Sequence, residues 1–283
     1  MQQNMLPAFL ESVTRGTGQP LVLVHGSASD RRTWGHQLEA FGKHYLVVSY
    51  SRRYHWPNEP IADGAEYSMA DHVDDLEQLL KSLDSTGAHL VGHSYGAYVA
   101  LMVALRRPGL VDKLVLAEPP VIPLLTGFPP KPSRILQQLL IRPRTALPII
   151  GFVVQGLVPA ASAAKKGLRE DAIERIGNAI LGKDAFTALS GTRLEQVRDN
   201  FMKAELLSQQ FMMPLNENDV KSIKAPTLLI TGEKSPPLWH KLTARLEELI
   251  PDTRHADIPN ASHIMHEDNA PAYNQVVLAF LRS

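Results

Sequence analysis

The sequence predicts an α/β protein with a mostly parallel central sheet, helices on both faces of that sheet and an inserted helical cap. Short, apolar, β-branched runs alternate with segments of helical periodicity. The apolar runs do not alternate with polar residues, which is typical of parallel strands buried on both faces. One stretch of about a hundred residues contains no convincing strand, which is far longer than an ordinary connection between strands and indicates an insertion.

The first part of the chain supplies the larger share of the predicted sheet. Its predicted strands are residues 8–13, 20–24, 45–49, 89–91 and 113–117. Its predicted helices are residues 30–41, a helix capped by Ser68 that continues to Leu83, and residues 97–105. Ser68 is a good cap because its hydroxyl can accept from a free N–H of the first turn.

The alternation of predicted strands and helices stops after Glu118 and resumes near residue 226. We predict helices over residues 134–141, 144–157, 169–181 and 192–209, then strands 227–231 and 254–258 and helices 239–250 and 270–281. The predicted organisation is therefore a core domain of residues 1–118 and 226–283 and a mainly helical cap of residues 119–225.

Composition narrows the function classes. The chain of 283 residues has 29 basic and 29 acidic residues, so no net charge favours nucleic acid or an anionic membrane. It has no cysteine, and its start lacks a basic segment followed by an apolar core. Polar, proline and glycine residues interrupt its longest apolar stretch, 146–158. We expect a cytoplasmic protein with a small-molecule substrate, no nucleic-acid or membrane partner, no cofactor and no metal; homo-oligomer formation stays open.

A Gly-x-Ser-x-Gly pattern lies where a predicted strand meets a predicted helix. Gly92, Ser94 and Gly96 follow the apolar run 89–91 and precede the helical run 97–105. This is the nucleophile-elbow pattern, in which the turn is so sharp that the residues flanking the serine must lack bulk. The turn presents the serine hydroxyl at the positive end of a helix. We therefore expect Ser94 to be a nucleophile.

A serine nucleophile needs a base within hydrogen-bond reach, and a third group must orient that base. When the serine lies on such an elbow, the acid and then the histidine follow it along the chain. Among eleven histidines, His263 lies in the loop after the last predicted strand and is the predicted base. His266, a few residues further on, is its competitor.

Three segments, in this order and spacing, resemble the α/β-hydrolase superfamily: Val24-His25-Gly26, Gly92-His93-Ser94-Tyr95-Gly96 and Ala261-Ser262-His263. The resemblance covers nearly the whole chain outside the cap. It implies that Ser94 is the nucleophile and that His263 is the general base and acid. It also implies an oxyanion hole formed by the backbone N–H groups of Ser27 and Tyr95. We expect His25 to form hydrogen bonds within its own loop.

The chain departs from the common pattern of this superfamily at the carboxylic acid that orients the histidine. Relatives usually carry Gly-x-x-Asp after the strand that corresponds to 227–231, whereas this chain has Gly232-Glu233-Lys234-Ser235. A serine cannot orient and stabilise an imidazolium as a carboxylate does. Glu118, at the end of strand 113–117, resembles the glutamate that some haloalkane dehalogenases use at that place. We favour Glu118 as the acid and keep Glu233 as the alternative.

The resemblance also limits the chemistry. Epoxide hydrolases and haloalkane dehalogenases of this superfamily have an aspartate at the elbow, so Ser94 argues against both. We expect hydrolysis of a small to medium, largely apolar ester, thioester or lactone through an acyl-enzyme. C–C bond hydrolysis or cofactor-free haloperoxidase or perhydrolase chemistry on the same triad is an alternative, and so is a ligand-binding protein with little or no turnover.

Two groups of residues are candidates for the walls of the substrate pocket. The apolar candidates in the cap are Phe128, Leu139, Leu140, Ile149, Phe152, Val153, Leu157 and Met212. Tyr54, His55 and Trp56 follow the strand 45–49 at its carboxyl end, where open parallel sheets bind ligands. They either line the mouth of the pocket or only cover it.

Overall fold

A seven-stranded sheet lies at the centre of the structure, a computed structural model that describes residues 10–62, 64–83 and 85–283. Its strands are β1 (Ser12–Arg15), β2 (Pro20–Val24), β3 (Leu46–Tyr50), β4 (Ala88–His93), β5 (Val111–Ala117), β6 (Thr227–Gly232) and β7 (Thr253–Ile258). Their spatial order is β1-β3-β2-β4-β5-β6-β7. Among the described strands, only β1 is antiparallel to its neighbour, so the predicted α/β fold with a mostly parallel sheet is confirmed.

The inner strands β2, β3, β4 and β6 are almost entirely buried because helices cover both faces of the sheet. In β2, Val22 points into one buried cluster and Leu23 into the other, as successive side chains of a strand must. The first cluster continues into α2 (Met69–Ser82), α3 (Tyr95–Arg106) and α13 (Pro237–Glu247). The second continues into α1 (Gly35–Phe41) and α15 (Ala270–Leu281).

Between β5 and β6 the described chain is helical. It contains α4 (Ile122–Thr126), α5 (Pro132–Ile141), α6 (Pro143–Gly151), a π-helical segment (Phe152–Leu157), α7 (Val158–Lys165), α8 (Arg169–Leu181), α9 (Lys183–Thr187), α10 (Gly191–Asp199), α11 (Lys203–Leu207) and α12 (Glu217–Lys221). Another short helix, α14 (Met265–Asp268), precedes α15. Helices therefore lie between β5 and β6, where the sequence periodicity predicts them, and the division into core domain and cap stays a prediction.

Some predicted boundaries are wrong for physical reasons. The predicted helix 192–209 is broken into α10 and α11 at Asn200, whose buried side chain accepts from the N–H of Trp56 and donates to Asp30. The predicted helix 30–41 begins as a 3₁₀ turn, Arg31–Trp34, before α1. Residues 8 and 9 of the predicted first strand 8–13 lie outside the described residues, and the observed strand β1 begins at Ser12 and ends at Arg15.

Residues Pro143–Lys165 form one continuous helical run across α6, the π-helical segment and α7. The run has 23 residues and a mean hydropathy of 1.7, so it has the length and composition of a membrane-crossing helix, while only 28 % of its most apolar window is buried. Pro148 and Gly156, which interrupt the apolar stretch in the sequence, do not end the helix. The π-helical segment contains Gly156, so the helix continues past this glycine with a different hydrogen-bond pattern.

Candidate active site

Ser94 lies at the tip of the turn between β4 and α3. Its φ of 50° and ψ of −122° fall in a region that is strained for a residue with a side chain. Its N–H donates to the carbonyl oxygen of Ala117 (2.8 Å), which anchors the turn to β5. A Cβ on Gly92 would lie 2.5 Å from Ala97 Cα, and a Cβ on Gly96 would lie 2.3 Å from two backbone oxygens. Only glycine therefore fits at positions 92 and 96, two residues before and two residues after Ser94.

The predicted oxyanion-hole residues Ser27 and Tyr95 each have a backbone N–H group and line the same cavity as Ser94. Tyr95 is the first residue of α3, so its N–H has no acceptor within the helix. Among the described residues, neither N–H donates to a protein acceptor. Two free N–H donors, one of them at the start of α3, are suited to stabilise a developing oxyanion.

The structure brings His263 and Glu118 together. His263 Nδ1 donates to Glu118 Oε2 over 2.5 Å, and both side chains are buried. Glu118 Oε1 accepts from the N–H of Gly232 (2.9 Å), which fixes the carboxylate between β5 and β6. The other ring nitrogen of His263, Nε2, is buried and has no partner within the described part of the chain. It is free to take a proton from a group in the cavity that Ser94 and His263 share.

Two neighbours hold the ring of His263 in place. Trp239 stacks on it with 4.2 Å between ring centroids, and Trp239 Nε1 donates to the carbonyl oxygen of Ile180 in the cap (2.8 Å). His93 Nε2 donates to the carbonyl oxygen of His263 (2.8 Å). Burial, reinforced by the neighbouring His266 and His263, holds the pKa of His93 well below its usual range, so His93 stays neutral.

The alternative site residues lie elsewhere. Glu233 is exposed and accepts from the N–H of Asn260 (2.7 Å), beside a surface cleft that also contains His240. Ser235 is buried, and its hydroxyl has no partner among the described residues. His266 Nε2 shares a hydrogen bond with Thr33 Oγ1 (2.9 Å), and its ring packs against Trp34. None of the three contacts Glu118 as His263 does.

Buried Arg52 holds the loop that carries Ser27. Its Nε and one terminal nitrogen donate to the carbonyl oxygens of His25 and Gly26. The N–H of Arg52 donates to His25 Nε2 (2.8 Å), so His25 donates from Nδ1 to Gly26 and fixes the same loop, as expected. Burial, together with the Arg52 charge, keeps the pKa of His25 well below its usual range. Sequence reasoning did not single out Arg52.

The cavity beside Ser94 has a volume of about 310 Å³ and mostly apolar walls. Its walls include five of the predicted cap residues: Phe128, Phe152, Val153, Leu157 and Met212. The other three do not line it, because Ile149 packs in the core and Leu139 and Leu140 face away from the cavity. Tyr54, His55 and Trp56 are not in its walls either; Trp56 instead stacks with Arg32.

Glu205 is the acidic side chain in the walls of this cavity, and sequence reasoning missed it. It comes from α11 in the cap, and its Oε1 accepts from Ser27 Oγ (2.6 Å). Burial raises its pKa, although the Arg52 guanidinium, 3.9 Å from the carboxylate, opposes that rise. Nothing in the sequence marked it, since a single glutamate in a helix is ordinarily a solvated residue. Within the described chain, no three His, Cys, Asp or Glu side chains form a group that could hold a metal ion.

Comparison with known proteins identifies the family of the chain. The model of the alpha/beta hydrolase family matches residues 21–276. A putative carbamate hydrolase, RutD, from Yersinia enterocolitica is 26 % identical over 92 % of this chain and 86 % of its own length. The (E)-2-((N-methylformamido)methylene)succinate hydrolase of Acinetobacter baylyi is 33 % identical, but the match spans only 36 % of this chain and 38 % of that relative.

Solved structures share the fold at low sequence identity. An esterase from Thermogutta terrifontis has a TM-score of 0.70 at 21 % identity, with 96 % of this chain and 93 % of that chain covered. A bromoperoxidase from Bacillus anthracis has a TM-score of 0.69 at 22 % identity, covering 97 % and 95 %. A meta-cleavage product hydrolase from Pseudomonas fluorescens has a TM-score of 0.61 at 19 % identity, covering 96 % and 94 %.

Proposed function

Because the chain belongs to the alpha/beta hydrolase family, we propose that it is a serine hydrolase that cleaves a small to medium, largely apolar ester-type substrate. The observation that carries this proposal is the arrangement of His263. Its Nδ1 bonds to Glu118, its Nε2 has no partner among the described residues, and its ring lines the cavity that Ser94 also lines. An ester, a thioester or a lactone fits this chemistry.

The proposed reaction has two halves. Ser94 Oγ attacks the carbonyl carbon while His263 Nε2 takes the hydroxyl proton, and Glu118 stabilises the imidazolium that forms. The N–H groups of Ser27 and Tyr95 donate to the oxyanion of the tetrahedral intermediate. His263 then returns the proton to the leaving alkoxide, which leaves the acyl group on Ser94. A water molecule, deprotonated by His263, releases the acid and regenerates the serine.

The cavity supports an apolar acyl or alcohol group. Its walls are mainly aliphatic and aromatic, so transfer of an apolar chain from water is favourable. Glu205 adds a single acceptor beside Ser27. A substrate with a hydrogen-bond donor near its carbonyl group could use that acceptor. The putative carbamate hydrolase among the relatives makes carbamates a reasonable addition to the substrates tested.

The test is hydrolysis of p-nitrophenyl esters of graded chain length by the wild-type protein and by Ser94→Ala. We expect turnover by the wild type and a loss of roughly 10⁶-fold in kcat, to background, in Ser94→Ala. A fluorophosphonate should label wild-type Ser94 covalently and leave Ser94→Ala unlabelled. A wild-type protein that is neither labelled nor active would support the alternative of a ligand-binding protein with little turnover.

Labelling without ester turnover would instead favour another reaction on the same triad. The meta-cleavage product hydrolase and the bromoperoxidase share this fold. A β-diketone-like substrate would then test C–C bond hydrolysis, and oxidation of a halide in the presence of a carboxylic acid and hydrogen peroxide would test perhydrolysis. Either result would replace the ester proposal while leaving Ser94 as the nucleophile.

A further inference from the structure

The charged residues of the chain are unevenly distributed. The segment 119–169 contains seven basic residues and no acidic residue. The rest of the chain, with 22 basic and 29 acidic residues, carries the opposite excess. Lys131, Arg134, Arg144, Lys165 and Lys166 of this segment are exposed and form no ion pair within the described residues. The zero net charge therefore conceals a basic region in the cap.

The same segment exposes large apolar side chains. Leu140 is 77 % exposed, and five others are between 57 % and 63 % exposed: Leu136, Ile141, Leu147, Val154 and Val158. They belong to α5 and to the continuous helix Pro143–Lys165, and α5 packs against α6. Apolar patches of this kind, bordered by polar residues, mark interaction surfaces. We call these six residues, with the five basic residues named above, the basic apolar face.

The helix Pro143–Lys165 has two different sides. Arg144, Leu147, Val154, Val158 and Lys165 recur at helical spacing on its exposed side. Its other side packs against α8 and supplies Phe152, Val153 and Leu157 to the cavity beside Ser94. A helix that is packed on protein along one side cannot cross a bilayer without unfolding the cap, but it can lie in the plane of a membrane surface.

We propose that the basic apolar face docks the cap on an anionic lipid surface. Such a surface has charged phosphate groups above an apolar acyl layer, and the basic apolar face has basic side chains beside apolar ones. Lipid phosphates would pair with Lys131, Arg134, Arg144, Lys165 and Lys166, and the apolar side chains would enter the boundary between headgroups and acyl chains. The low overall charge of the chain predicted no membrane partner; the local charge is what leads to the opposite inference.

A second copy of the chain is a poorer occupant of this face. A two-fold interface places the same patch of both copies in contact. The five unpaired cations would then face one another, with no carboxylate from 119–169 to neutralise them. An anionic lipid surface removes this repulsion and also accepts the apolar side chains.

The test is co-sedimentation of the full chain with vesicles of phosphatidylcholine alone and with vesicles of equal parts phosphatidylcholine and phosphatidylglycerol. We expect binding to the mixed vesicles, little binding to phosphatidylcholine, and weaker binding as salt is added. In the triple variant Arg144→Gln/Lys165→Gln/Lys166→Gln, each substitution should weaken partitioning roughly fivefold. The variant Val154→Asp/Val158→Asp should also lose binding, since it puts charge where the acyl boundary would lie.

The matched control is Lys43→Gln/Lys234→Gln/Arg282→Gln, which removes three exposed charges from the core domain. It should bind the mixed vesicles as the wild type does, and circular dichroism should give every variant a wild-type melting transition. Equal losses in the cap and control variants would overturn the proposal, because net charge alone would then explain binding. Failure to bind mixed vesicles would also overturn it. So would a stable dimer, seen by light scattering, that Val154→Asp/Val158→Asp dissociates.

Discussion

At the scale of single residues, Glu118 decides how His263 is held. Its backbone has a φ of 47°, in the left-handed region that residues with side chains rarely adopt. In that conformation the Glu118 N–H donates to the carbonyl oxygen of Ile230, and the carboxylate accepts hydrogen bonds from Gly232 and His263. A strained residue that is over-determined by its surroundings is typical of functional sites.

We expect Glu118→Gln to lower kcat by roughly 10³–10⁴-fold, because a glutamine cannot stabilise the imidazolium and can hold the wrong tautomer of His263. The substitution keeps the oxygen that accepts from Gly232, so the fold should persist. Ester hydrolysis with purified variants measures the effect.

The matched control for Glu118→Gln is Glu233→Gln, which makes the same chemical change on an exposed carboxylate. It should keep kcat within a few-fold of the wild type. A large loss in Glu233→Gln with normal activity in Glu118→Gln would reverse the assignment of the acid.

At the scale of elements, the turn between β4 and α3 depends on backbone contact. A Cβ on Gly96 would meet the carbonyl oxygens of Val24 and His25, which cannot rotate away as a side chain would. We expect Gly96→Ala to lower the free energy of unfolding by about 3 kcal/mol or more, at the upper end of overpacking costs. Urea denaturation measures the change.

Gly109→Ala is the control for Gly96→Ala, since its added Cβ would meet no atom within 4 Å. It should change the free energy of unfolding by about 0.5 kcal/mol or less. Similar urea midpoints for the two variants would contradict the steric account of the elbow.

Another element-scale contact joins α2 to α3. Glu77 in α2 pairs with Lys81, with Arg106 of α3 and with Arg107. Hydrogen bonds from Lys81 and Arg107 lower the pKa of Glu77 from its ordinary value of 4.5 to about 2. A carboxyl whose pKa is lower in the folded protein stabilises the fold above its unfolded pKa, and that contribution is lost as the pH falls through the folded pKa.

We therefore expect Glu77→Gln to be less stable than the wild type at pH 6, with the difference shrinking between pH 4.5 and pH 2. Urea midpoints measured across that range give the result. A difference that stays constant with pH would show that packing of α2, rather than the charge of Glu77, is responsible.

At the scale of the whole molecule, the cavity is lined both by residues of the predicted cap, 119–225, and by residues of the predicted core domain. The core contributes Ser27, Ser94 and His263, and the cap contributes most of the apolar walls. The two parts are joined by polar contacts: Asp30 accepts from Gln196 and Asn200 of the cap, and Trp239 donates to Ile180. The Trp239 bond is close to the site, because the same ring stacks on His263.

We expect Val153→Trp to move the preferred ester chain length downward, since the larger side chain would fill part of the cavity of about 310 Å³. When a pocket no longer has room for one methylene group of a substrate, kcat/KM for that substrate falls by roughly tenfold or more. The measurement is kcat/KM across the series of p-nitrophenyl esters.

Val154→Trp is the neighbouring control, because Val154 is exposed and does not line the cavity. Its chain-length profile should match that of the wild type. A shift in both profiles would indicate a general disturbance of the cap rather than narrowing of the pocket.

The sequence by itself determined the α/β fold and the strand–turn–helix at Ser94, and it indicated the helices between β5 and β6. These follow from local patterns: apolar runs, helical periodicity, and glycines where a sharp turn allows no Cβ. Ser94 and His263 line one cavity, and their place on short motifs in a fixed order along the chain made this closeness predictable.

Only the tertiary structure decided which residues meet around these motifs. Glu118 and Glu233 are both glutamates at strand ends, and it is the adjacency of β5 and β6 that puts one against His263 and leaves the other exposed. Glu205 reaches the cavity from α11, and Arg52 lies against Glu205, through contacts between residues far apart in sequence. Burial and side-chain direction depend on the packed chain, so no local pattern could reveal them.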